Sequence, residues 1–236
     1  MEATFNMNAF MNSFNNRLDK PVRDHLKNVY SCLAISTLAT AAGGYVHLFT
    51  DILQGNFLMT LLSAGLLAVL FAVPDNGKNQ HVRLAILVGF AFTTGLGMGP
   101  LLDIVISVDP SIIATAFLAT CAVFTCFSLS ALYTDHCRYI YMGGTLMSIL
   151  SVMSLFSLAN LFLGSYFLFQ ANLYIGVALF CGFVLYDTQI IIDKRKRGER
   201  DYIRHSVDLF LDFISIFRRL LIILTQKESS RREKRN

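Results

Sequence analysis

The chain has 236 residues, 54% of them hydrophobic and 15% charged, with a formal net charge of +4 and a mean hydropathy of +0.53. That composition is too apolar for an ordinary soluble domain. A single integral membrane domain is the natural class, with the bilayer as its main partner and no nucleic acid among the others.

Residues 1–28 form the expected cytosolic N-terminal arm. Phe5, Phe10, Met11 and Phe14 are scattered among asparagines and charges, so there is no continuous apolar core or small-residue cleavage site of a secretory signal. An amphipathic interfacial helix and a disordered tail both fit this stretch. Hydrophobic runs then recur at about the 20 residues needed to cross a hydrocarbon core roughly 30 Å thick. They fall near 29–49, 52–73, 84–106, 111–133, 140–162 and 167–192, with a weaker seventh at 207–225. Breakers separate most of them, among them Pro74 to Lys78, Asp109-Pro110-Ser111, Thr134-Asp135-His136 and the charged stretch Lys194 to Arg204. Lipid leaves unpaired backbone groups unsatisfied, and runs without period-2 alternation suit helices rather than barrel strands. The expected fold is all-α, a polytopic membrane helix bundle of six spans plus a seventh spanning or re-entrant C-terminal helix. The bundle covers 29–225, and a basic tail covers 226–236.

Lys and Arg fix the expected orientation. Arg17, Lys20, Arg23 and Lys27 precede the first span; Lys78 and Arg83 mark the second loop, Arg138 the fourth, and Lys194 to Arg204 the sixth, whereas the odd loops carry none. Positive charge in short loops stays cytosolic, which puts the N-terminus and the even loops in the cytosol. The tail conflicts with this rule, because Lys227, Arg231, Arg232, Lys234 and Arg235 follow the last run. A full seventh crossing moves them to the opposite side, and a re-entrant segment returns them.

Cysteine gives no disulfide framework. Cys32, Cys121, Cys126 and Cys181 lie in apolar runs, Cys137 lies in a short loop, and the count of five is odd, which favours free thiols. Neither these nor His25, His47, His81, His136 and His205 show metal-ligand spacing, so no tightly bound metal is expected.

The carboxylates are harder to explain. Asp187 sits near the end of the sixth run, and Asp208 and Asp212 punctuate the seventh. Ionisable groups in membrane-length segments are costly and face a bundle interior or an aqueous path, which makes them functional candidates. Asp208 and Asp212 are four apart and share a helix face. Asp208 begins the segment, where its charge suits the helix dipole, so Asp212 is the more informative of the two. Arg218 and Arg219 lie about two turns beyond Asp212 and are either partners for the aspartates or snorkel to an interface. For Gly95-x-Gly97-x-Gly99-Pro100, close helix packing and a kink account for every residue.

Several strings together resemble the Bax inhibitor-1 family. They are Gly89 to Pro100, Phe169-Gln170-Ala171-Asn172-Leu173-Tyr174, Gly182-Phe183-Val184-Leu185-Tyr186-Asp187-Thr188-Gln189, and Asp208-Leu209-Phe210-Leu211-Asp212-Phe213 followed by the basic tail. The resemblance covers nearly the whole chain. It implies a non-enzymatic, multi-pass protein of the endoplasmic reticulum that suppresses cell death under stress, including the unfolded protein response, and lowers the calcium load of that store. It also implies that Asp187 and Asp212 form a hydrogen-bonded pair whose protonation controls a calcium leak. Implied partners are Bcl-2-family proteins and reticular calcium channels or stress sensors. Some members place an arginine on the second span as a partner for the sixth-span aspartate, but residues 52–73 here contain no Lys or Arg.

The chemistry of the residues is compatible with that mechanism. Two carboxylates brought close in a low-dielectric bundle cannot both ionise cheaply, so one proton is expected to be shared and the pair to titrate as a unit. Ca²⁺ prefers several oxygen ligands, and two or three aspartates without a dense oxygen shell suit transient passage, with H⁺ as regulator. Three rival readings remain. One is a proton/calcium exchanger, and another is a non-transporting scaffold acting through its basic tail, where Lys and Arg also attract anionic lipid. The third is an intramembrane aspartyl protease, disfavoured because Leu209-Phe210-Leu211-Asp212-Phe213 lacks the Gly-x-Gly-Asp of presenilin-like enzymes and no Pro-Ala-Leu string is present.

Overall fold

The computed structural model describes residues 18–50, 57–134 and 139–234. Its helices are α1 (Lys20–Phe49), α2 (Phe57–Ala72), α3 (Gln80–Gly97), α4 (Gly99–Val108), α5 (Ser111–Tyr133), α6 (Gly143–Leu163), α7 (Tyr166–Lys196) and α8 (Tyr202–Glu233). A single 3₁₀ turn, Ile140–Met142, precedes α6. There is no strand among the described residues, and the all-α membrane bundle holds. By length and apolarity α1, α5, α7 and α6 with its leading turn can each cross a bilayer, and α3 with α4 forms a fifth candidate bent by 46°.

The bend follows from the glycine-rich string. A Cβ on Gly95 would run into the backbone carbonyl of Thr40 on α1, and one on Gly99 into the His47 ring. Pro100 opens α4, where its missing N–H costs nothing. Backbone contact between α1 and α3 is sealed by Thr40 Oγ1, which donates to the Ala91 carbonyl at 3.0 Å.

The most charged helix is also the most central. α8 packs against α7, α1, α5, α4 and α3, while α2 packs chiefly on α3 and α6 on α7. Its face of Ile203, Val207, Leu209, Phe210, Phe213 and Ile216 joins the main core with Val29, Leu87, Phe90 and Val184. Neighbouring helices thus replace lipid around His205, Ser206 and Asp212, which is the condition for tolerating them at membrane depth.

α8 is one continuous helix of 32 residues, about 48 Å long at 1.5 Å per residue. At one end its N-cap, Asp201, is held by Arg83; at the other, Arg232 reaches Asp109 in the α4–α5 connection at 2.9 Å. The last segment is therefore one helix from the Arg83 end to the α4–α5 connection, and it is not among the helices long and apolar enough to count as membrane spans. Arg231, Arg232 and Lys234 emerge beside Asp109, at the end opposite Arg83, while Arg235 lies outside the described residues. The expected tail domain is helical as far as Glu233, a continuation of α8.

The expected arm of residues 1–28 also overlaps the bundle. α1 starts at Lys20, with Pro21 in its first turn, and Leu18, Val22 and Leu26 are buried in the main core. Apolar spacing within a polar stretch carried that face, which a span-length hydropathy window averages away. Residues 1–17, Cys137 and Arg138 lie outside the described residues. Cys32, Cys121, Cys126 and Cys181 are free thiols.

Candidate functional site

α7 and α8 run antiparallel from a tight turn at 197–201, where Gly198 takes φ +101°. That hairpin sets the site. Asp187 lies nine residues before the end of α7, and Asp212 ten after the start of α8, so the two fall at similar depth. Their carboxyls lie within reach of each other across the α7–α8 interface. Ionised carboxylates only accept, so a hydrogen bond between them needs a proton on one partner. Asp212 is 4% exposed, and its Oδ2 takes no donor from any other group among the described residues.

The string that carries Asp187 positions it from both sides. Gly182 leaves room for Leu146 of α6, and Gly143 for the Tyr186 ring. Gln189 Oε1 accepts from the Tyr139 N–H at 2.9 Å, anchoring α7 to the α5–α6 connection. Thr188, fully buried, turns toward Tyr30 of α1 and Ser128 of α5. These three hydroxyls converge, yet none makes a hydrogen bond of good geometry with a protein group among the described residues. A small set of under-satisfied polar groups thus lies in the core around Thr188, the next residue after Asp187.

The other candidates fall elsewhere. Asp208 is half-buried one turn from Asp212, and makes no hydrogen bond or ion pair among the described residues. Arg218 and Arg219 do not pair with the aspartates. Arg219 lies 4.6 Å over the Phe180 ring and donates to the Ser215 carbonyl at 3.2 Å, beside Gly176 of α7. Two turns of rise separate them from the carboxyl pair, too far for a salt bridge. In the tail, Arg231 and Arg232 bond Glu228, and Arg232 also bonds Asp109; Lys227 and Lys234 are exposed.

Two contacts at the opposite end from the tail were not legible in the sequence. Arg83, 3% exposed, donates to Asp201 at 2.6 Å and lies 3.8 Å from Asp75. Burial opposes ionisation of Asp201, but the Arg83 hydrogen bond, the Arg204 N–H and the charges of Arg83 and His205 hold its carboxyl below the usual carboxylate range. One turn on, His205 Nδ1 meets His25 Nε2 at 2.9 Å, both rings buried.

Comparison with known proteins gives a consistent picture. Residues 22–229 match the family model described as inhibitor of apoptosis-promoting Bax1. The chain is 52% identical over 211 residues to a probable Bax inhibitor 1 of Paralichthys olivaceus, covering 89% of each chain. It is 49% identical over 213 residues to Bax inhibitor 1 of Homo sapiens, covering 90% of each. Similarity extends to Bax inhibitor 1 of Arabidopsis thaliana, 37% identical over 216 residues, covering 91% of this chain and 86% of that one.

Proposed function

The chain belongs to the Bax inhibitor-1 family, and from that premise we propose that it is a membrane suppressor of apoptosis acting as a pH-sensitive calcium leak of the endoplasmic reticulum. The observation that carries this reading is the contact between Asp187 and Asp212 across the α7–α8 interface. With one proton between them the two carboxyls tie the last two helices together. Loss of that proton leaves two negative charges at close range in a shielded interior, and their repulsion drives the helices apart. The opened interface presents carboxylate oxygens and the Tyr30, Ser128 and Thr188 hydroxyls to a passing cation. Calcium is cargo in this scheme, held weakly enough to leave.

Calcium efflux from proteoliposomes across pH tests the reading. Flux should rise as pH rises in the wild type and lose that dependence in Asp187→Asn and Asp212→Asn. Flux equally pH-dependent in both variants would remove the pair from the gate.

A scaffold that binds cell-death regulators remains the second reading, favoured by the exposed basic residues at the end of α8, Lys227, Arg231 and Lys234. Deleting 227–236 separates the two, since a scaffold loses its protective activity while a leak keeps its basal flux.

A further inference from the structure

We infer that a pocket between α6, α7 and α8 binds the phosphate group of an anionic phospholipid through Arg218 and Arg219. The pocket, about 260 Å³, is lined by Ser157, Asn160, Phe169, Asn172, Arg218 and Arg219 among others, with no acidic residue in its wall.

Two cations at membrane depth need compensation. Among the described residues neither arginine has a carboxylate partner, and Arg218 makes no hydrogen bond at all. The deeply buried Arg83, by contrast, is matched by Asp201. An unmatched cation pair in a low-dielectric setting attracts an anion.

The neutral donors point the same way. Ser148, Ser151 and Ser154 each return their hydroxyl to the carbonyl four residues back on α6. Ser157, the next in that row and part of the pocket wall, makes no such bond. Asn160 commits Oδ1 to the Ser165 N–H at 2.8 Å, which leaves its amide N–H₂ for a ligand. Arg219 is fixed by Phe180 and the Ser215 carbonyl, so its planar fork is already oriented.

Depth selects the source of the phosphate. Asn172 lies six residues into α7, about 9 Å from the α6–α7 turn at 1.5 Å per residue. That is headgroup-to-glycerol level, and Arg218 is exposed on the outer surface of the bundle, where lipid lies. Two guanidinium groups favour a headgroup of net negative charge over a zwitterionic one.

Purified full-length protein in neutral detergent, titrated with phosphatidylglycerol, phosphatidylcholine or inorganic phosphate, tests the site. Bound lipid is read by native mass spectrometry and protection by thermal melting. Wild type should bind phosphatidylglycerol more tightly than phosphatidylcholine. The double substitution Arg218→Gln, Arg219→Gln should weaken binding about tenfold or more, each basic residue near a membrane surface being a comparable contributor. Ser157→Ala, which keeps both cations, should weaken it about fivefold, and stands in if the double variant fails to fold. Replacing Arg231 and Lys234 by Gln, which removes only diffuse attraction by the tail, should weaken it less than either pocket variant does. Protection by inorganic phosphate that both pocket variants abolish would assign the same site to a free anion. Unchanged phosphatidylglycerol affinity in the pocket variants, or a loss seen only on changing the tail, overturns the proposal.

Discussion

The Arg83 guanidinium and the Asp201 carboxylate meet at 2.6 Å across 118 residues of sequence, fastening the start of α3 to the N-cap of α8. Asp201 Oδ1 also accepts from the Arg204 N–H at 3.0 Å, so one carboxylate serves both the ion pair and the cap. Arg83→Gln leaves a half-buried carboxylate without its cation. The expected cost is about 3 kcal/mol, as for a buried pair broken from one side, read as a lower melting temperature at neutral pH.

That pair sets an acid limit. Asp201 is held below the ordinary carboxylate range, so the folded state favours its ionised form. The stabilisation is complete above the unfolded value of about 4 and is lost as pH falls toward and through the lower folded value. Melting temperature measured from neutral pH down to acid should fall at the low end, and Asp201→Asn should flatten that fall. A wild-type curve no steeper than the variant's would show that Asp201 does not drive it.

At the carboxyl pair, asparagine and leucine should behave differently. Asp212→Asn retains a donor for Asp187 and keeps the α7–α8 contact; Asp212→Leu removes it. A hydrogen bond to a charged group contributes on the order of 1.5 kcal/mol or more, which shifts a two-state population about tenfold. Calcium flux near neutral pH should therefore be about tenfold higher for leucine than for asparagine. Equal flux from the two would argue that the hydrogen bond does not hold the closed state.

The buried His25–His205 bond requires one ring nitrogen to accept. His25→Leu strands His205 Nδ1 in the core, at an expected cost of about 1–3 kcal/mol. In a double-mutant cycle with His205→Leu, the two single losses should exceed the double, because the second change removes the stranded partner. Additive losses would mean that the rings act independently.

Two glycines make opposite predictions from one substitution. A Cβ on Gly95 meets the Thr40 carbonyl, backbone that cannot swing aside, so Gly95→Ala should destabilise by about 1–3 kcal/mol. Gly65, inside α2, has nothing within 4 Å of an added Cβ. There Gly65→Ala should stabilise by about 0.5–1 kcal/mol through helix propensity alone. Thermal melting of the two variants checks both signs.

Hydropathy and charge along the chain were enough to read the class, the segments and the costly residues. Hydropathy runs of membrane length fix where α5, α6 and α7 lie, and Pro74, Pro110 and the 194–204 charges fix where chains turn, because lipid tolerates only self-satisfied backbone. The sequence also marked Asp187 and Asp212, since a carboxylate in such a run needs a reason. It did not determine what each charge meets. Whether Arg218 and Arg219 answer the aspartates, whether the last segment returns or runs through, and that Arg83 finds Asp201 and His25 finds His205 depend on the rotation and stagger of packed helices. Those are set by small contacts such as Gly95 on Thr40, to which hydropathy is blind. Helix packing placed the most polar helix at the centre, where protein takes the place of lipid around Asp212.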